Sequence, residues 1–224
     1  MKNTRLIIFS LALIMSFVVN AGAQRKPDDC SWENKNKVRK AVKTRTIADG
    51  ASYTNYAAGK RISIDEWYAL TCSLDAKVPE VIPADAPIPS VETVAVTLRA
   101  YLLGARFERD GDHDMQAELG ATPDWNTDHV VIEIPPGEQH CKVRRQLWNL
   151  VRQAGCKGDQ CILRKPVPVV VRGYVFLGGA QNTKDYCHAS SARGMKRDGE
   201  ASKIRGSWRL QPVFSIERLG RGSK

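Results

Sequence analysis

The chain has 224 residues, a formal net charge of +10 and 42% hydrophobic residues, which suits one domain with or without a substantial extension. The positive charge is unevenly distributed: 24–62 and 138–224 are basic, whereas 63–137 contains four Lys or Arg against fourteen Asp or Glu. The overall charge therefore does not identify a nucleic-acid-binding protein by itself. Nucleophile-elbow, phosphate-loop and dinucleotide-binding motifs do not occur, which excludes the enzyme classes that carry them.

The N-terminal residues have the pattern of a secretory signal peptide. Lys2 and Arg5 precede an apolar run at 6–19, and small residues follow up to Ala23. The run is shorter than the roughly 18 residues that a membrane span needs, so an uncleaved anchor is the less favoured alternative. We therefore expect cleavage after Ala23 and a mature chain without a transmembrane segment, located in a periplasm or outside the cell.

Six cysteines follow the signal peptide, and an even number in an exported chain predicts disulfides. The favoured pairs are Cys30–Cys72, Cys141–Cys187 and Cys156–Cys161. The last pair would close a tight loop in which Gly158 lets the chain turn. A zinc site is the less favoured alternative, because the chain has no Cys-x-x-Cys motif and its histidines are not at ligand spacing.

Residues 24–90 predict a basic extension ahead of the main domain. Within it, 35–45 is typical of a short helix or a solvated arm, and we favour a solvated surface over a binding site. Ser63 and Glu66 form a capping box, which opens a short helix directly after Ser63. Four prolines between 79 and 89 predict an extended linker, because proline fixes φ and lacks an N–H donor.

Residues 91–224 predict the main domain. Alternating apolar and polar positions predict five strands, at 94–108, 112–119, 129–134, 167–177 and 208–219. An apolar stripe at helical spacing predicts one helix at 141–154, between the third and fourth strands. In the fifth strand we expect Phe214 to face inward with Leu210 and Ile216. This order indicates a mainly β fold: a five-stranded OB-like barrel with one helix between strands three and four, plus an N-terminal helical or irregular extension.

Short motifs within 91–219 resemble those of a group of exported bacterial proteins of uncharacterised function. The matching motifs are Asp110–Asp114, Val131–Pro135, Cys141, Val169–Gly173 and Trp208–Val213. The resemblance implies an OB-fold-like core and an exported location, and it implies no reaction. In that group the last motif usually carries a histidine at the place of Gln211, so no role of that histidine is carried over to this chain.

The sharpest cluster of candidate metal ligands is the acidic hairpin, which contains Asp110, Asp112 and Asp114 around His113. Its first residues are typical of a calcium loop, but the glycine and glutamate that such a loop needs are missing. Paired carboxylates could also hold a metal for phosphodiester cleavage. We favour a third interpretation, a hairpin turn with a solvated acidic face and His113 turned into the core.

The usual nucleic-acid platform of an OB barrel lies on its second and third strands, whose outward positions are mostly acidic in this chain. Those positions are Asp112, Asp114, Gln116, Glu118, His129 and Glu133. The candidate polyanion-binding residues lie elsewhere, at Arg99, Tyr101, Arg144, Arg145, Arg172, Tyr174, Lys196, Arg197 and Arg209. The alternative, weighted equally, is that the N-terminal segment packs over this basic side.

Three functions remain open from the sequence. We favour an exported, non-enzymatic binding module with an unknown ligand and no cofactor. The first alternative is a polyanion binder that uses the basic side, with nucleic acid or lipopolysaccharide as the ligand. The second is a metal-dependent phosphodiesterase that uses the acidic hairpin. The partner is unassigned, and a polyanion or another envelope protein would suit the fold and compartment.

Overall fold

The computed structural model describes residues 30, 31, 33, 39–44, 61–108, 111–178, 185–188, 194–197 and 200–220. The helices are α1 (Lys40–Thr44), α2 (Ile64–Asp75) and α3 (Cys141–Gln153), with a 3₁₀ turn at Glu138–His140. The strands are β1 (Arg61–Ile62), β2 (Ala95–Phe107), β3 (Met115–Gly120), β4 (Asp128–Ile134), β5 (Gln160–Leu177), β6 (Lys196–Arg197), β7 (Glu200–Ala201) and β8 (Lys203–Arg218). No helix in these ranges is long and apolar enough to cross a membrane. The predicted signal peptide at 1–23 lies outside them.

Five strands close a barrel in the order β2–β3–β4–β8–β5, and β5 pairs with β2 again. β4 and β8 are parallel, and the other neighbouring pairs are antiparallel. The helix α3 follows the third barrel strand and precedes the fourth. The prediction of a mainly β, five-stranded OB-like barrel is confirmed. A sixth strand, β1, pairs with β2 in parallel.

The first barrel strand, β2, alternates as predicted. Val96, Leu98 and Leu102 are at most 1% exposed, whereas Arg99 between them is exposed. Burying each of these apolar side chains contributes roughly 1.5–3 kcal/mol. Near Gly104 the register of β2 shifts against both β3 and β5. Such a bulge bends a long strand, which lets β2 pair along both sides of the barrel.

The helix α3 packs its predicted apolar stripe into the core, with Leu147 fully buried. Arg144 on the same helix is also 0% exposed. Its guanidinium group donates hydrogen bonds to the carbonyl oxygens of His113 (3.1 Å) and Ile134 (3.0 Å). Buried carbonyl groups need donors, and Arg144 supplies them. The structure therefore removes Arg144 from the predicted polyanion-binding set.

A buried ion pair is one of the contacts that hold the extension on the barrel. Arg39, directly before α1, is 7% exposed and pairs with Glu92, which is 0% exposed. The described end of the basic segment is thus a short docked helix and not a solvated arm. The capping box predicted for α2 is present: Ser63 Oγ accepts from Glu66 N (3.1 Å), and the Glu66 carboxylate accepts from Ser63 N (2.8 Å).

Two disulfides connect distant parts of the chain, Cys30–Cys141 and Cys72–Cys187. The predicted pairs Cys30–Cys72 and Cys141–Cys187 are therefore wrong, although they use the same four cysteines. Cysteines can bond only when their Cα atoms come within about 7 Å. The docking of α2 and α3 on the barrel decides which cysteines meet this condition, and sequence spacing does not report that docking.

Cys156 and Cys161 flank the loop that enters β5, and both have free thiols. The third predicted disulfide is therefore not formed in the structure. The two thiols are close enough to share a hydrogen bond. Burial and the neighbouring Cys156 raise the pKa of the Cys161 thiol to about 12. Because the thiolate is the reactive form of cysteine, Cys161 is a poor nucleophile at neutral pH.

Candidate functional site

The outward positions of β3 and β4, predicted to form a solvated acidic face, are buried. Asp114, Gln116, Glu118, His129 and Glu133 are each at most 6% exposed. Arg209 and Gln211 of β8 and the backbone of Met195 bond to this set. The predicted solvated face is therefore wrong, because alternation within a strand does not reveal what packs against its outer side.

The carboxylates of the acidic hairpin have protein partners. Lys43 Nζ of α1 lies 2.6 Å from Asp112 Oδ2, and Gln211 Nε2 donates to Asp114 Oδ2 at 2.9 Å. The third predicted ligand, Asp110, lies outside the described residues. Within the described part of the chain, the hairpin forms no group of three Asp, Glu, His or Cys side chains close enough to share a metal ion. The geometry thus gives the candidate metal site no support.

Burial raises the pKa of two acids in this region. The pKa of Asp114 is raised well above its usual value, first by burial and then by the charges of Glu133 and Asp112. Burial, followed by the charge of Glu133, also raises the pKa of Glu108. Both shifts come from burial and from neighbouring acids, and both favour the neutral form of the carboxyl group.

The remaining acids of the set are compensated within the fold. Arg209 forms an ion pair with Glu133, and Gln116 Nε2 donates to the same carboxylate at 3.3 Å. His129 Nδ1 lies 2.7 Å from Glu118 Oε2. Arg209, predicted to belong to the basic surface, instead pairs with Glu133 of the acidic set. His113 is 2% exposed, as expected for a core histidine.

Some of the other residues predicted to bind a polyanion share one surface, and the rest do not. Arg99 and Arg172 are exposed on the outer side of the barrel, and Tyr101 is half-buried beside them. Their strands pair directly, with Arg172 opposite Thr97. Tyr174 is only 2% exposed, so its ring is not available to a ligand. Three members of the predicted set thus share one open surface.

The other predicted basic residues lie apart from this surface. Arg145 is exposed on α3, where it lines a surface cavity together with Lys142 and Asn149. Lys196 is exposed in β6. The side chain of Arg197 lies outside the described residues. Among the described residues of the predicted set, Arg145 and Lys196 therefore lie outside the surface that Arg99, Tyr101 and Arg172 share.

One further arginine joins the open surface. Arg61 of β1 pairs with Thr97 of β2, which pairs on its other side with Arg172 of β5. Residues directly opposite one another in a sheet point to the same face, so Arg61 and Arg172 are two strand spacings apart, roughly 10 Å. Arg99 is diagonal to Arg172, at roughly 7–8 Å. Sequence reasoning missed Arg61, because a two-residue strand leaves no alternation to detect.

Phe214 also lies on this surface, although we expected it to face inward. The register between β5 and β8 shifts on both sides of Gly173, which turns Phe214 to a partly exposed position. Its ring centroid lies 5.4 Å from the guanidinium carbon of Arg172. We call this surface the outer basic face; it consists of Arg61, Arg99, Tyr101, Arg172 and Phe214. In the described part of the chain, no carboxylate lies within ion-pair distance of its three arginines.

Comparisons of the chain with protein-family models, curated proteins and solved structures find no match. The resemblance to exported bacterial proteins therefore stays a prediction from the motifs. The site must be judged on its own geometry.

Proposed function

We propose that the protein is an exported, non-enzymatic binding module whose outer basic face binds a polyanion. The observation that carries the proposal is the group of Arg61, Arg99 and Arg172, which are all exposed and form no ion pair with a described carboxylate. Exposed guanidinium groups form bidentate hydrogen bonds with phosphate oxygens. Their spacing of roughly 7–10 Å allows several anionic groups of one chain to be contacted together.

The aromatic residues favour single-stranded nucleic acid over other polyanions. Tyr101 and Phe214 are partly exposed beside the arginines. Proteins that bind single strands combine a basic surface with aromatic side chains, because the unstacked bases stack on the rings. Lipopolysaccharide and sulfated polysaccharides carry charge but no planar bases, so they lack this base–ring stacking. The exported location is supported by the two disulfides, which persist in oxidising compartments.

A metal-dependent phosphodiesterase is not favoured as an alternative. Such a mechanism needs ionised carboxylates that hold a metal beside the substrate. Asp114 is buried and bonded to Gln211, and Asp112 already pairs with Lys43. The acidic hairpin therefore serves as a docking point for α1.

A binding experiment with matched charge reversals tests the proposal. The affinity for a fluorescent oligothymidylate is measured by anisotropy for the wild type, Arg99→Glu/Arg172→Glu, and the control Lys142→Glu/Arg145→Glu on α3. All four residues are exposed, and both double variants change the net charge equally. We expect at least a tenfold loss for the first variant and little change for the control. The Arg99→Glu/Arg172→Glu variant should also show a shallower dependence of the logarithm of the binding constant on the logarithm of the salt concentration. The slope should decrease by about 1.4, at about 0.7 per lost single-strand contact.

Different outcomes separate the parts of the proposal. Equal losses in both double variants would mean that only the overall charge matters, which contradicts a defined face. Heparin or lipopolysaccharide binding more tightly than the oligonucleotide, with the same sensitivity to Arg99 and Arg172, would reject the nucleic-acid ligand and keep the face. Unchanged binding after Tyr101→Ala would also speak against stacking. If none of the polyanions binds at low salt, another envelope protein becomes the favoured partner.

A further inference from the structure

A histidine lies beside one of the two disulfides. His188 Nε2 is 4.0 Å from Cys187 Sγ, and the ligand atoms of Cys72, Cys187 and His188 all lie within 4.8 Å of one another. In a tetrahedral zinc site, a sulfur and a nitrogen ligand are roughly 3.6 Å apart, given bond lengths of about 2.3 and 2.0–2.1 Å. The histidine nitrogen thus lies near ligand distance from Cys187 Sγ, whereas the two sulfurs are joined by a covalent bond and must separate before they can bind a metal.

A carboxylate orients the histidine toward the sulfur atoms. Asp185 Oδ1 lies 2.7 Å from His188 Nδ1 and also accepts the backbone N–H of His188 at 3.2 Å. When a carboxylate accepts the proton of Nδ1, the lone pair of the neutral ring is on Nε2, the atom that faces Cys187. Zinc-binding histidines use the same arrangement, in which a carboxylate fixes the tautomer and the orientation of the ring.

The segment that carries these ligands is fixed to the fold. Asp75 at the end of α2 accepts the backbone N–H of Cys187 at 2.9 Å and the indole N–H of Trp208 at 2.8 Å. Ser207 N donates to the carbonyl oxygen of Tyr186 at 2.7 Å. Contacts of the backbone on both sides of Cys187 hold its Cα atom in place, and the sulfur can rotate about the Cα–Cβ bond once the disulfide is broken.

Gly206 allows this close approach. A Cβ atom at Gly206 would lie 2.6 Å from the carbonyl oxygen of Cys187, and the backbone there has a φ of 73°. Only glycine adopts this conformation readily and leaves room for the neighbouring segment. The glycine in β8 thus lets the backbone of the segment that contains Cys187 pack directly against this strand.

We propose that Cys72, Cys187 and His188 bind Zn²⁺ when their disulfide is reduced, with Asp185 as the positioning residue. Reduction transfers two electrons and two protons from a dithiol reductant, which itself becomes a disulfide. The metal then displaces the thiol protons to solvent.

Rotation about the Cα–Cβ bonds separates the sulfurs to roughly 3.8 Å, as tetrahedral Zn–S geometry requires. His188 is exposed, so the fourth position is open to water. This site is independent of the outer basic face.

Cobalt spectroscopy tests the site, with Co²⁺ in place of Zn²⁺. A variant with serine at positions 30, 141, 156 and 161 retains only the two proposed sulfur ligands. It is reduced with a phosphine, which becomes the phosphine oxide, and is titrated with Co²⁺ without oxygen. We expect one Co²⁺ per chain with an intense sulfur-to-cobalt charge-transfer band, which disappears when Zn²⁺ is added. The unreduced variant should show no such band.

Single substitutions distinguish Co²⁺ binding at the proposed site from Co²⁺ binding by the thiols alone. We expect His188→Ala and Asp185→Asn to weaken Co²⁺ binding about 10–100-fold, and the exposed Glu80→Gln to leave it unchanged. If the four-serine variant does not fold, the same substitutions are compared in the reduced wild type, with near-ultraviolet circular dichroism to verify folding. The proposal is overturned if the reduced protein shows no sulfur-to-cobalt band, if His188→Ala binds as tightly as its parent, or if the unreduced protein binds equally well.

Discussion

The side-chain amide of Gln211 donates a hydrogen bond to the carboxyl group of Asp114 over 2.9 Å, and neither residue is more than 2% exposed. The other carboxyl oxygen, Asp114 Oδ1, is buried without a hydrogen-bond partner among the described residues. A buried charge in such surroundings is costly, and the charges of Glu133 and Asp112 add to the cost. Burial and these charges therefore raise the pKa of Asp114 and favour its neutral form.

This raised pKa predicts a defined pH dependence of stability. An aspartate titrates near 3.9 in the unfolded chain, and Asp114 titrates higher in the folded protein, so the folded state binds more protons between these values. The free energy of unfolding should therefore fall as pH rises from about 4 through the folded pKa. We expect a smaller fall for Asp114→Asn, measured by urea unfolding at several pH values. Some dependence should remain, because the pKa of Glu108 is raised as well.

The matched control for this experiment is Glu80→Gln, since Glu80 is exposed. Its stability curve should follow that of the wild type at every pH. Parallel curves for the wild type and Asp114→Asn would contradict the raised pKa of Asp114.

The buried ion pair between Arg39 and Glu92 predicts a large effect of removing one charge. Glu92→Gln would leave Arg39 buried without its counter-charge, which typically costs about 3–5 kcal/mol. The same side chain also accepts the backbone N–H groups of Ile88 and Leu177, at 2.9 and 3.0 Å. We expect the urea midpoint to drop accordingly. Adding Arg39→Met to Glu92→Gln should restore part of the stability, and a cost below about 1 kcal/mol for Glu92→Gln alone would show that Arg39 reaches solvent.

The barrel could be predicted from the sequence because its evidence is local. Alternation between Val96 and Leu102, and the apolar stripe on α3, each report one buried face. The order of these elements then left few topologies open, and the OB-like order was confirmed. The strand ends were predicted less accurately, since β5 begins at Gln160 and not at Val167.

The candidate site was harder to predict because its evidence is not local. Glu118 and Glu133 occupy outward positions in their strands, yet other parts of the chain cover them. Phe214 faces the surface because a register shift near Gly173 breaks the alternation. Arg144 turns inward to satisfy backbone carbonyl groups. In each case a contact distant in sequence decides the exposure, and a single sequence does not report such contacts.

The disulfide pattern can be checked by peptide mapping of the unreduced protein. We expect linked peptides for Cys30–Cys141 and Cys72–Cys187, and alkylation of the unfolded, unreduced chain at the two remaining cysteines, 156 and 161. Replacing Cys72 and Cys187 together with serine should cost about 2–5 kcal/mol, because the bond closes a long loop. Finding Cys30 linked to Cys72 would contradict the docking of α2 on the barrel, which places Cys72 beside Cys187. An unlabelled chain would instead mean that the third predicted disulfide forms in solution.

Gly173 is expected to be among the least tolerant positions of the barrel. A Cβ atom at this position would lie 3.0 Å from the carbonyl oxygen of Pro212 and 3.1 Å from Leu210 Cδ2. Both contacts are tight, and one involves backbone that cannot rotate away. Gly173→Val should therefore cost roughly 1–3 kcal/mol through overpacking. For a chain of this length, each kcal/mol lowers the melting temperature by about 2–4 °C.

The control for Gly173→Val is Gly158→Val in the exposed loop before β5. The nearest atom to a Cβ at Gly158 is 3.7 Å away, so a larger side chain has room, and the change in stability should stay within about 0.5 kcal/mol. Melting temperatures of both variants, recorded by circular dichroism, show whether Gly173→Val is the more destabilising substitution. Equal stability of the two variants would mean that β5 and β8 separate easily at Gly173, and the register shift that exposes Phe214 would then not be a fixed feature of the barrel.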